Sequence, residues 1–185
     1  DETVEAVFVA TPIPTHYAIV KTLLEGNKHV FCEKPLARQV AQAQELTQIA
    51  SENNRVLYTN YIYLESRGIQ KIGELLSEVG NVQYVEAQIR QFGKFYKDEN
   101  VYEILASHFI AAILFLFPTQ QFTVQYYDLV RNSSGQVEVG EVTLSDAQLK
   151  VKIVASLKSV SKERNLCVIG SRGVLHFDMM SDKTV

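Results

Sequence analysis

The chain reads as two kinds of fold in series: an α/β unit with a parallel sheet, then an α+β unit on a large, mostly antiparallel sheet. Three observations lead there. Residues 5–58 alternate short apolar runs with helical patterns, whereas strand periodicity dominates beyond about residue 80. Two of the early apolar runs also stop abruptly at prolines: Val7-Phe8-Val9-Ala10 at Thr11-Pro12, and Val30-Phe31-Cys32 at Glu33-Lys34-Pro35.

Taken in order, the first part predicts a strand over 5–10, a helix over 15–26, a strand over 28–32, a helix over 36–53 and a strand over 55–59. That βαβαβ order requires parallel pairing and right-handed crossovers. His16 falls in the first turn of the first helix, after Thr15, and either caps it or contacts a ligand. From about 64 a stripe of Ile69, Ile72, Leu75, Leu76 and Val79 predicts a helix running to Gly80 as its C′ residue. The apolar run 104–117 is too short for a bilayer and holds Ser107 and His108, so it reads as a buried helix. Strands follow at 82–92, 121–130, 137–144, 147–158, 163–169 and 174–178, with a hairpin turn at 132–135. In 147–158, Leu149, Val151, Ile153, Ala155 and Leu157 alternate with Gln148, Lys150, Lys152 and Ser156, which predicts a long half-exposed strand. The domain boundary falls near residue 62, giving 1–62 and 63–185.

Composition narrows the function. With 46% hydrophobic and 21% charged residues the chain can bury a core, and a net charge of -3 leaves no electrostatic footprint for nucleic acid. Cys32 and Cys167 lie in strand-like runs and suit free thiols in a reducing, cytoplasmic compartment. The four histidines are scattered and no Cys/His cluster has ligand spacing, so no metal site and no membrane segment are expected.

The most informative stretch is 30–36. A buried strand of a parallel sheet that ends in a carboxylate and an ammonium is costly for a core and useful for a site, because open α/β sheets bind ligands at the carboxyl ends of their strands. Pro35 stops the strand and lets the next helix begin. These residues carry a resemblance. Val9-Ala10-Thr11-Pro12, Thr15-His16, Gly26-Asn27-Lys28-His29-Val30 and Glu33-Lys34-Pro35 resemble, in order, the second half of the nucleotide domain of the Gfo/Idh/MocA family of NAD(P)-dependent oxidoreductases. The resemblance implies the C-terminal half of a Rossmann fold, followed by a sheet with helices on one face. The family's Gly-x-Gly-x-x-Gly turn does not occur among the nine glycines, so the chain is expected to be a fragment that opens at the fourth strand, inactive by itself.

Further on, the segment 100–108 resembles the family helix that supplies a catalytic acid–base pair. Ser161-Lys162-Glu163-Arg164 and Ile169-Gly170-Ser171-Arg172-Gly173 resemble the branch acting on nucleotide-linked N-acetyl sugars. By that resemblance NAD or NADP is the cofactor, contacted by Thr11, Pro12, His16, Glu33, Lys34 and Pro35. A sugar-like substrate meets Lys34, Asn60, Tyr61 and His108. Lys34 touches nicotinamide and substrate, and His108 takes the hydroxyl proton. The family aspartate that orients the histidine corresponds to Ile104. Glu103 is no replacement in a regular helix, since it lies about 140° from His108 while Ile104 lies about 40° away. Two readings stay open: an oxidoreductase of a sugar, nucleotide-sugar or cyclitol hydroxyl (or a reductase of another small substrate), and a non-catalytic member serving as a binding or assembly module. Tyr58 and Tyr63 line a substrate cleft or pack between domains. A homo-oligomer through the large sheet is expected, because the aliphatic side of 147–158 needs cover.

Overall fold

The computed structural model describes residues 3–181, whose strands form two sheets, one in each of two units, Asp1–Tyr61 and Ile62–Val185. The fold class is the one expected, an α/β unit followed by an α+β unit.

In the first unit, β1 (Ala6–Val9), β2 (His29–Glu33) and β3 (Leu57–Asn60) pair in parallel, in that order. They alternate with α1 (His16–Glu25), entered through a 3₁₀ turn at Ile13–Thr15, and α2 (Val40–Glu52). One sheet face is apolar and closed: Val9, Val30 and Cys32 pack with Val20 and Leu24 of α1 and Leu46 and Ala50 of α2, all buried. The opposite face carries Phe8, Phe31 and Tyr58 at equivalent register, their ring centroids 4.9 and 5.0 Å apart. Helix α2 starts at Val40 and not at 36, because Gln39 is extended (φ -123°, ψ 139°) and Leu36 turns back onto the core and not along a helix face. The Lys34–Pro35 peptide is cis.

The second unit holds α3 (Arg67–Leu75), β4 (Val82–Phe92), a π-helical stretch (Tyr102–Ala106) running into α4 (Ser107–Leu116), and β5 (Thr123–Arg131), β6 (Val137–Ser145), β7 (Lys150–Ser156), β8 (Lys158–Gly170) and β9 (Val174–Asp178). The sheet order is β5-β6-β7-β4-β8-β9. Only β4–β7 is parallel; the remaining pairs are antiparallel. Every second residue of the central strands points into one core: Val85, Ala87 and Ile89 of β4, Val151, Ile153 and Ala155 of β7, Leu166 and Val168 of β8. Phe109, Ala112, Ile113 and Leu116 of α4 close it. The aliphatic side of the segment 147–158 is therefore the side the helices cover. The open side presents Lys150, Lys152 and Val154, with Lys152 paired to Glu141 at 2.9 Å, which corrects the apolar partner face expected there.

Two further expectations shift. Helix α3 ends at Leu75, well before Gly80, and residues 76–79 form turns. Gly80 nevertheless has φ +77°, and a Cβ there would stand 2.5 Å from Ser171 Oγ. Its chain segment docks on the β8–β9 turn, where Ser171 and Arg172 amides donate to the Asn81 and Val79 carbonyls. The expected strand 147–158 also divides, since β7 stops at Ser156 and β8 starts at Lys158, on the far side of β4.

Candidate active site

The carboxyl ends of β1–β3 gather most of the residues singled out above. Val9 is the last residue of β1, and the turn after it carries Thr11 and Pro12, both exposed. Thr15 bonds this turn to itself: its hydroxyl donates to the Pro12 carbonyl at 2.8 Å and lies 2.7 Å from the Thr11 hydroxyl, so it supplies no side-chain cap to α1. His16 is 1% exposed and does not cap the helix either. Its Nδ1 lies 2.8 Å from the Pro35 carbonyl and its Nε2 2.8 Å from the Thr11 carbonyl. Both partners are acceptors, so the ring ties the turn after β1 to the turn after β2. Between them stand Glu33 and Lys34, half-buried, where β2 ends. Glu33 Oε1 accepts from Asn60 Nδ2 at 2.8 Å, which joins β3 to the same cluster. Tyr61 follows, its phenol pushed up by burial. Thr11, Pro12, His16, Glu33, Lys34, Pro35 and Asn60 are thus brought to one end of one sheet.

This donor set has a definite chemistry. It offers a hydroxyl, an ammonium, a carboxylate held by an amide, and two carbonyls engaged by an imidazole, and it lacks the run of glycine amides that cradles a pyrophosphate.

His108 belongs to the second unit, one residue into α4. Its ring is half-buried, with Nδ1 inside, and stacks on Tyr63 at a centroid distance of 4.7 Å and an interplanar angle of 22°. The helix before it is not regular. Over Tyr102–Ala106 the backbone is π-helical, and the Ser107 amide reaches back to the Tyr102 carbonyl. Such a bulge would alter the angle at which Glu103 faces His108, and the Glu103 carboxylate is engaged at the helix start. Its Oε2 accepts from the Asn100 amide at 3.1 Å, while Asn100 Oδ1 accepts from the Tyr102 and Glu103 amides. This reciprocal capping box commits Glu103 to the helix start. Ile104, at the aspartate position, packs against the core with a side chain that carries no acceptor.

Sequence reasoning missed the capping box, although Asn-x-x-Glu before an apolar run at 104–117 is its signature. It also missed Arg164, a buried cation, for which no local signal exists. Of the tyrosines weighed for a cleft, Tyr58 joins the exposed aromatic row and Tyr63 is 7% exposed in the second unit's core.

A parallel sheet with this cluster at its carboxyl ends, followed by a sheet-and-helix unit, has the architecture of the dinucleotide-binding α/β class. Residues 1–61 match the model of the oxidoreductase family with an NAD-binding Rossmann fold, GFO_IDH_MocA. The uncharacterized oxidoreductase YdgJ of Escherichia coli is 27% identical over 186 residues, covering 94% of this chain and 53% of that protein. The dTDP-3,4-didehydro-2,6-dideoxy-alpha-D-glucose 3-reductase of Streptomyces violaceoruber is 29% identical over 86 residues, 45% of this chain and 25% of the enzyme. Among solved structures, GenD2 from gentamicin A biosynthesis in complex with NAD superposes with a TM-score of 0.91 at 22% identity, over 100% of this chain and 57% of its own. An inositol dehydrogenase homolog from Azotobacter vinelandii, complexed with NADH and myo-inositol, gives 0.85 at 24%, over 94% and 50%. These two likenesses concern the fold. Residues 1–61 thus carry the NAD-binding Rossmann fold of the Gfo/Idh/MocA oxidoreductase model, the chain is similar to YdgJ along most of its length, and it spans about half the length of that protein.

Proposed function

We propose that the whole protein transfers a hydride between a nicotinamide cofactor, NAD or NADP, and a hydroxyl-bearing carbon of a sugar, nucleotide-sugar or cyclitol. The observation that carries this reading is the His16 bridge, which holds Thr11 and Pro35 together and so sets Lys34 at the strand-end crevice. A bound nicotinamide supplies the hydride acceptor or donor. Residues 1–61 are then the cofactor unit, with Thr11, Pro12, His16, Glu33, Lys34 and Pro35 at its nicotinamide end, and 62–185 the substrate unit. Lys34 directs its ammonium to the substrate oxygen, Asn60 and Tyr61 add polar contacts, and His108 holds the hydroxyl proton as general base. The sugar-like substrate class is supported by relatives that include a nucleotide-sugar reductase.

The test is hydride transfer by the whole protein, followed as nicotinamide absorbance against a panel of sugars, nucleotide-sugars and cyclitols. His108→Ala should lower kcat/KM by about a hundredfold or more. Lys34→Ala should be at least as damaging, and Ile104→Asp should raise turnover by giving the imidazole an acceptor. Absence of transfer with every substrate would favour the second reading, a non-catalytic member acting in binding or assembly. The hydrocarbon side chain of Ile104 and the engagement of Glu103 in the cap support that alternative.

A further inference from the structure

We infer that Tyr63, held between His108 and Phe109, is the positioning residue for His108 in this chain, doing by ring stacking what a carboxylate at position 104 does by hydrogen bonding. The inference rests on the oxidoreductase reading for the role of His108 and on the structure for the rest.

Tyr63 is gripped from two sides by consecutive residues of α4. Its face lies on His108, and its ring meets the fully buried Phe109 edge-on at 5.2 Å and 75°. The rest of the Tyr63 ring is confined by burial, at 7% exposure. Burial pushes that phenol up, and the Arg164 guanidinium acts in the opposite sense. Arg164 is itself held. It is 9% exposed, its Nη1 donates to the Arg90 and Glu163 carbonyls at 2.7 Å each, and its Nη2 donates to Gln91 Oε1. A buried guanidinium with these partners on β4 and β8 is a rigid post, and its charge acts on the Tyr63 phenol.

An imidazole attached to a helix has two side-chain torsions to fix. A carboxylate on one ring nitrogen fixes them through a hydrogen bond; a stacked ring fixes the imidazole plane and leaves the ring edge to meet a substrate hydroxyl. The phenol face also presents the negative side of its quadrupole to the charge the imidazole gains on taking a proton. The acid nearest to it in sequence, Glu103, caps the helix through Oε2.

The experiment has two arms. In the 185-residue chain, the His108 ring resonances, assigned by His108→Gln, are followed in Tyr63→Phe and Tyr63→Leu. The ring-current shift should persist in the phenylalanine variant and vanish in the leucine variant. In the whole protein, Tyr63→Leu should lower kcat by about ten- to a hundredfold with KM within about twofold, and Tyr63→Phe by only a few-fold. Adding Ile104→Asp to Tyr63→Leu should restore most of the lost kcat, a rescue that a purely structural role for Tyr63 does not predict. If Tyr63→Leu does not fold, Tyr63→Met, which keeps the volume without a ring, takes its place in both arms. Unmoved His108 resonances in a folded variant without the ring overturn the inference, as does a kcat that is unchanged or not rescued. A whole protein that transfers no hydride, with resonances moving as described, sinks the oxidoreductase reading and leaves Tyr63 as the residue that orients His108.

Discussion

His16 shows what one residue decides in this fold. It is a buried imidazole between two carbonyl oxygens, and removing it leaves both without that partner while separating the two turns that flank Lys34. His16→Ala should therefore cost about 1–3 kcal/mol of stability, read from urea unfolding of the chain, and a cost near zero would remove the bridge from the account. The sequence placed His16 in the first helical turn but left open whether it capped the helix or met a ligand. Its partners lie 5 and 19 residues away, so no local pattern encodes them. Cys32 offers a second test. It has no exposure, and burial, followed by the Glu33 carboxylate, pushes its thiol from 9.0 up to about 11. The folded chain then keeps a proton that the unfolded chain releases. Stability from this group is full below about pH 9 and falls as the pH rises through 11, a loss on the order of 2 kcal/mol. Unfolding midpoints of the wild type and Cys32→Ala, compared across that window, should diverge; parallel decline would exclude Cys32 as the cause.

At the scale of elements, period and punctuation were legible wherever hydrophobic alternation met a single buried face. Strands β4 and β9 fall where alternation put them, and the hairpin at 132–135 turns on Gly135 at φ +90°. Helix starts and ends were less legible, since Leu36 looks like a helix residue in sequence and packs as a loop residue in three dimensions. The π-helical stretch has no sequence period of its own. Its first residue makes a close tertiary contact: Tyr102 lies across β6 at Gly140, where a Cβ would stand 2.5 Å from the phenol oxygen. Gly140→Ala should displace Tyr102 and break its bond to Asp128, which measures 2.8 Å, at a cost of about 1–3 kcal/mol. A drop in Tm for Gly140→Ala that disappears in the Tyr102→Ala background would confirm the contact; an equal drop in both would refute it. Asn100→Ala removes the helix cap and should cost about 1 kcal/mol, with Glu103 then released from its partner.

For the whole molecule, the two units differ in how much core they own. The second closes its core with strands on one side and helices on the other, whereas the first, among its described residues, rests on seven buried apolar side chains and leaves an aromatic row outside. Small cores are marginal. Amide hydrogen exchange should therefore be slowest in β4 and β8 and markedly faster throughout β1–β3, and equal protection would count against the ranking. The fold class and the order of the two units were readable because each rests on period alone. The pairing of Tyr63 with His108 was not, because it depends on a chain path through the whole of β4. Two expectations concern assembly and ligand. The face of the second unit's sheet opposite its helices is polar, with Lys152 paired to Glu141, so an oligomer across it would have to be held by charge pairs and weakened by salt; light scattering that shows a monomer at low salt over a wide concentration range would refute it. Without a glycine-rich cradle among its residues, the 185-residue chain should bind NAD(H) weakly, and micromolar affinity by isothermal titration would overturn that.

The row of Phe8, Phe31 and Tyr58 has an optical consequence. The chain contains no tryptophan, so excitation that reaches a tyrosine is not drained to an indole. Three rings about one ring-width apart form a short antenna, in which light absorbed by the two phenylalanines is handed to Tyr58 and re-emitted as phenol fluorescence. The excitation spectrum of that emission should carry the fine structure of phenylalanine while β1, β2 and β3 hold their register. It should lose part of that structure in Phe31→Leu, the middle link, which gives the smaller unit a built-in reporter of its own integrity.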